Sequence, residues 1–443
     1  MIPYDLPPAC IVIFLFLYGA VLGSFLTVCV HRLPMNENVF SAWRSLIYNP
    51  SHCDRCQTRL LARDNVPIFG WLILGGRCRF CKRSIPGRYP LIELANGLLF
   101  VFVYWMEVPF DRWTGIAGSC LTTSLSPSSP ETGLGLSGMA MVNWRVFFHI
   151  VLIEALFVAS LIDWDLMIIP DSVTLPPMLA GVLMSGVFAK FWLVPVWFQD
   201  PSVMRSMIGS LTGNWRPNLP FAGVPAWIAE HPHWHGLAVS LAGLVIGGGV
   251  IWGIRLIGHA ALRREAMGFG DVVLMAMVGS FLGWQPTVVA IFLSAFLAMI
   301  IVIATRLTAW DREIPFGPFL SLGTIVTMLG WRWIWPRVEM YFSLGVLLPV
   351  VAAFMTLCLF GTLLGLRFIK QLLGYSVDID ESGYDDWTSA DQLSHFAGET
   401  VDDEQGQWRR ESWPGKPAGR GQTHLQQWQR PNSTGWRQQW DRR

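Results

Sequence analysis

Charge is what this chain has least of. Only 14% of its 443 residues are Asp, Glu, Lys or Arg, against roughly a quarter in soluble domains. With 52% hydrophobic residues, that scarcity excludes an ordinary water-soluble globule and describes an all-α polytopic membrane protein. A net charge of +1 offers nucleic acid no electrostatic hold, so no such partner is expected. Cysteine is also sparse, eight in all, and four of these sit in two Cys-x-x-Cys pairs. No basic residue precedes the first apolar run and no small-residue cleavage site ends it, so that run is read as a retained span. Two related halves, expected of many transporters, are missing as well.

Long apolar runs fill most of what remains. Residues 9–30, 91–108, 144–162, 173–197, 236–257, 272–284, 286–305, 317–328 and 341–366 predict about eight to nine transmembrane helices, the run at 317–328 being the weakest. The segment 32–88 holds ten Lys/Arg against three Asp/Glu. The positive-inside rule therefore places it in the cytoplasm and the N-terminus outside. Residues 110–143 and 198–235 become external segments, while Arg263 and Arg264 mark a short inner loop. Arg332 and Arg337 fall outside in this scheme, against the charge bias. Between Gln371 and Trp408 there is no Lys or Arg but a run of acids, and Gln-rich, Trp-dotted basic sequence follows. Too little aliphatic surface is present there to offset chain entropy, so 367–443 is expected to be a disordered cytoplasmic tail. The expected division is a first span at 1–30, a cytoplasmic four-Cys zinc-binding domain at 31–90, a membrane domain at 91–366 and the tail.

Candidate chemistry lies in three places. Met267-Gly268-Phe269-Gly270-Asp271 delivers an acid to the mouth of an apolar run, where a charge must be paired, hydrated or neutralised. Gly268 and Gly270 remove bulk, so another backbone can approach the carboxylate. Asp163, about a hundred residues earlier, reaches the same face at the end of its own apolar run. Asp165 can reach the interface, and Asp171, after Pro170, reads as a helix start. Two carboxylates sharing a low-dielectric site hold a single proton between them, which is the machinery of aspartic proteolysis. The other reading is that the acids only cap helices and never meet. In the inner loop, Cys53, Cys56, Cys78 and Cys81 have the spacing of a tetrahedral structural zinc site, with disulfides or free thiols as the alternatives. His231, His233 and His235 read as part of a solvated loop.

With these residues laid out, the chain resembles the type IV prepilin peptidases, bacterial membrane aspartic endopeptidases of the Gly-x-Gly-Asp class. The resemblance runs through Gly23-Ser24-Phe25-Leu26, Arg32-Leu33-Pro34, Asn65-Val66-Pro67, Gly75-Gly76, Arg88-Tyr89-Pro90 and Glu93. It continues through Ile162-Asp163, Pro170-Asp171, Gly268-Phe269-Gly270-Asp271, Gly283-Trp284 and Ile314 to Pro318. It implies that Asp163 and Asp271 are catalytic. It also implies prepilins or type II secretion pseudopilins as substrates, cut after a glycine at the cytoplasmic face of the bacterial inner membrane. N-methylation of the new terminus with S-adenosylmethionine, and partnership with pilus or secretion machinery, come from likeness alone. Thr27 stands where the family usually has Asn, and Val273 where it commonly has Lys. A catalytically silent zinc-ribbon assembly protein and a proton-coupled transporter remain as alternative readings.

Overall fold

The computed structural model describes residues 7–35, 38–48, 50–53, 56–108, 138–197, 227–262, 267–307, 315–344 and 348–372. Within them the chain is helical, apart from two isolated antiparallel bridges in the cysteine segment. The helices are α1 (Pro8–Arg32), α2 (Val39–Tyr48), α3 (Phe69–Ile73), α4 (Arg88–Glu107), α5 (Gly138–Leu166), α6 (Asp171–Phe188) and α7 (Trp227–Glu230). There follow α8 (Pro232–Leu262), α9 (Phe269–Leu282), α10 (Trp284–Leu307), α11 (Gly317–Leu329), α12 (Trp331–Phe342) and α13 (Leu348–Leu372). Of the expected tail, residues 367–372 are helical and continue α13, and the rest lies outside the described residues.

Among the described residues, seven helices are long and apolar enough to cross a membrane: α1, α4, α5, α6, α8, α10 and α13. Two runs expected to span prove shorter. Helices α9 and α11 have 14 and 13 residues, about 20 Å of rise each, against a hydrocarbon core of about 30 Å. Two further expectations change. The run 173–197 stops being helical at Phe188, where Ala189 turns left-handed at φ 59° and the Trp192 indole donates to the Ala189 carbonyl at 2.9 Å. The run 341–366 is not one helix, since α12 ends at Phe342 and α13 begins at Leu348. Arg332 and Arg337 belong to α12, an aromatic helix whose Trp331, Trp335 and Phe342 rings pack in sequence.

The chain forms two compact units, whose boundary cuts α5 between Ile153 and Glu154 and α6 between Thr174 and Leu175. In the first, α1 packs on α4 through small residues. A Cβ on Gly23 would come within 2.9 Å of the Glu93 Cα, and one on Gly19 within 2.9 Å of the Asn96 carbonyl. The Asn96 amide donates to the Gly19 carbonyl at 2.9 Å across the same seam. Close backbone approach of this kind drives helix association where lipid removes the hydrophobic effect between helices. In the second unit, α8 packs on α9 with Gly243 against Gly279 and Gly247 against the Met275 carbonyl, leaving no room for a Cβ. Phe148 of α5 and Phe281 of α9 meet at 4.6 Å between ring centres.

Candidate functional site

Asp163 sits in the last turn of α5, where the Met167 N–H donates to its carbonyl at 2.9 Å. Met167 adopts φ 58°, a left-handed conformation uncommon for a residue with a side chain, and so ends the helix there. Asp163 is 6% exposed, which agrees with an acid held at the edge of an apolar segment. Asp165, on the same turn, is paired with Arg88, the first residue of α4, at 2.8 Å. The sequence named both residues but not their partnership, because they are 77 positions apart.

Asp271 is the third residue of α9, behind Gly268, which caps the helix with φ −68° and ψ 151°. Neither Gly268 nor Gly270 has a positive φ, so the backbone angle does not demand glycine at either position. Asp271 is 8% exposed. It belongs to the second unit and Asp163 to the first. At the other end of α9, Gly283 does need its freedom: its φ is 83° and a Cβ would lie 2.7 Å from Val239 Cγ1. The turn it makes sends Trp284 and Gln285 to donate to the carbonyls of Val196 and Pro195 at 2.8 and 2.7 Å.

The four cysteines are brought together. Their sulfurs all lie within 4.8 Å of one another, and Cys53 and Cys81 are 3.9 Å apart. A tetrahedral zinc with bonds of about 2.3 Å puts its sulfurs about 3.8 Å apart, so the arrangement fits that ion and all seven described cysteines are free thiols. The local fold explains the fit, because the two pairs repeat one turn. The Cys53 N–H donates to the Thr58 carbonyl at 3.0 Å, and the Cys78 N–H to that of Arg83 at 2.8 Å. The Gln57 and Lys82 N–H groups return to the carbonyls of Cys53 and Cys78 at 2.8 and 3.0 Å. Gln57 and Lys82 are both left-handed, at φ 55° and 60°.

The surroundings favour thiolate. Thr58, through its hydroxyl and its backbone N–H, brings the Cys56 thiol down to about 6. Burial pushes the Cys78 thiol up, but the backbone N–H groups of Cys81 and Phe80 more than offset it, so its pKa is lowered. Between these ligands Arg79 grips Asp64 through Nε at 2.9 Å and through Nη2 at 2.5 Å. Those hydrogen bonds hold the Asp64 carboxyl below the usual carboxylate range. Four thiolates leave no open position, so a zinc held here would be structural.

Two other features needed the tertiary structure. Glu93 of α4 accepts the Ile68 N–H at 2.7 Å, holding a β-branched residue at φ 60° and tying the cysteine segment to a membrane helix. His235 is not in a solvated loop: it lies in α8, 1% exposed, and its Nε2 accepts the Val196 N–H at 3.1 Å. Among the described residues the four cysteines are the one group of side chains placed to hold a metal. Of the two departures from the family pattern, Thr27 satisfies its hydroxyl locally on the Ser24 carbonyl at 2.6 Å, and Val273 is half-buried on α9.

Comparison with known proteins bears on both regions. Residues 17–107 match the bacterial peptidase A24 N-terminal domain, which takes in all four cysteines. Residues 216–303 match the type IV leader peptidase family, a stretch that contains Asp271 and begins after Asp163. A type 4 prepilin-like proteins leader peptide-processing enzyme of Escherichia coli is 29% identical over 321 residues, 70% of this chain and 90% of that protein. A prepilin leader peptidase/N-methyltransferase of Aeromonas salmonicida is 28% identical over 335 residues, 71% of this chain and 89% of its own. One from Klebsiella pneumoniae is 29% identical over 272 residues, 61% and 85% of the two chains. No solved structure matches.

Proposed function

We propose that the chain is a membrane aspartic endopeptidase of the type IV leader peptidase family, which it resembles over residues 17–107 and 216–303, with Asp163 and Asp271 as its catalytic pair. The observation that carries this reading is the burial of both acids, at 6% and 8% exposure, each at a helix end in an otherwise apolar chain. Buried carboxylates in such segments are costly to keep and mark functional positions. In the mechanism the ionised member of the pair takes a proton from water as that water attacks the scissile carbonyl. The protonated member polarises the carbonyl oxygen and then passes its proton to the leaving amine. No covalent intermediate is formed.

The substrate in this reading is a prepilin or pseudopilin with a short basic leader, a glycine and an apolar helix. Its helix lies in the bilayer while the leader stays at the cytoplasmic face, which puts the scissile bond at the ends of α5 and α9. Methylation of the released amine with S-adenosylmethionine is a second proposed activity, in line with the names of the Aeromonas and Klebsiella relatives. Cys53, Cys56, Cys78 and Cys81 hold a structural zinc that fixes the segment between α2 and α4.

The deciding experiment is leader cleavage by purified Asp163→Asn and Asp271→Asn variants that still insert into membranes. Each is expected to lose at least about a hundredfold in rate, the lower bound for acid–base groups. Cleavage at the unaltered rate by either variant ends the assignment.

A further inference from the structure

Two short helices of the cysteine segment turn several large apolar side chains outward. On α2 the exposed residues Phe40, Arg44, Ile47 and Tyr48 follow i, i+4, i+7, i+8 spacing and so form one face. Phe40 is 91% exposed and Ile47 75%. On α3 the exposed residues are Phe69, Leu72 and Ile73, the last at 76%. A free water-facing surface rarely collects apolar groups this way.

The opposite sides of these helices fix their depth. The α2 indole of Trp43 donates to the Ser172 carbonyl in the first turn of α6 at 3.0 Å. Arg32, the last residue of α1, donates to the carbonyls of Ser45 and Pro50, both at 3.1 Å. Just before α3, the Ile68 N–H is held by Glu93 in the second turn of α4. Both short helices are thus anchored where membrane helices begin and end. Their apolar sides are unpartnered among the described residues.

We infer that α2 and α3 are interfacial feet, inserting Phe40, Ile47, Tyr48, Phe69, Leu72 and Ile73 into the adjoining leaflet and seating the four-cysteine segment on an anionic lipid surface. Amphipathic helices with aromatic and aliphatic anchors and cationic flanks bind bilayers in this way. Charge agrees: residues 32–88 hold ten Lys/Arg to three Asp/Glu, and a basic juxtamembrane segment is drawn to acidic headgroups. The Arg44 guanidinium lies over the Tyr48 ring at 5.4 Å, a cation beside an aromatic as such interfacial helices carry. The inference stands whether or not the chain cleaves prepilins.

Photocrosslinking tests it. Phe40, Ile47 and Ile73 are replaced one at a time by photoreactive benzoylphenylalanine in the full chain. Each protein is assembled without substrate into nanodiscs of phosphatidylethanolamine and phosphatidylglycerol. A phospholipid-mass adduct is expected at all three positions, several-fold above an unirradiated control, from protein that elutes as a single species. Adducts to residues 373–443 instead would make the chain's own tail the occupant and overturn the inference. So would adducts only to an added prepilin helix, or no adduct at all.

Discussion

Arg88 and Asp165 show what a single contact does for the proposed active site. Asp165 stands in the last turn of α5, where the helix dipole disfavours negative charge, two residues beyond Asp163. Arg88 neutralises it at 2.8 Å. Arg88→Ala should therefore cost about 2 kcal/mol, the scale of a charge-assisted hydrogen bond, read as a lower unfolding midpoint in detergent. Adding Asp165→Asn should cost little more, because the cycle then lacks the interaction already removed. Strictly additive losses would mean that the pair contributes nothing. At the same scale, Cys56 predicts a pH response. Its folded pKa of about 6 is depressed from 9.0, so the stabilisation it gives is present above its unfolded value and is lost as pH falls through about 6. Protons then compete for the thiolate, so zinc should be held at neutral pH and be held progressively less tightly as pH falls through about 6. Metal release followed with a chromogenic chelator across that range checks it; zinc already absent at neutral pH, or retained well into acid, contradicts it.

Among the elements, the α8–α9 contact positions Asp271. Gly243 and Gly279 touch through their backbones, and Gly247 lies on the Met275 carbonyl, so one helix cannot shift without the other. Gly243→Val forces the pair apart and should lower stability by about 3 kcal/mol, the upper end for overpacking. Gly249, on the same helix, where an added Cβ would meet nothing within 4 Å, is the control: Gly249→Val should change stability by less than about 1 kcal/mol. Equal effects at the two positions would show that helix propensity, not the crossing, sets the cost.

For the whole molecule, the charge bias of residues 32–88 makes a topological prediction. Alkaline phosphatase fused within that segment should be inactive, and fused within 110–143 it should be active, because only exported phosphatase folds. The reverse pattern would put the cysteine segment and the proposed catalytic face on the outer side. Among the described residues, seven helices are long enough to cross, and α9 and α11 are shorter apolar helices. The Gly-x-Gly-Asp segment thus opens an element enclosed by protein: every α9 residue from Leu274 to Leu282 except Ala276 is buried.

Membrane class, the acids, the cysteine spacing and most span positions could be read from the linear chain, because hydropathy accumulates locally and Cys-x-x-Cys encodes its own turn. The pairing of Asp165 with Arg88, the grip of Glu93 on Ile68 and the outward face of α2 were beyond that reading. They depend on which helix ends meet after packing, across separations as long as 129 residues. Helix limits moved for the same reason. The run at 173–197 stays apolar to its end, yet it leaves the helix at the left-handed Ala189, and its last carbonyls, of Pro195 and Val196, serve Gln285 and Trp284. Composition chose the solvent and residue type chose the chemistry, while tertiary contacts chose the partners, since an ion pair or a bared helix face exists only once a second element is beside it.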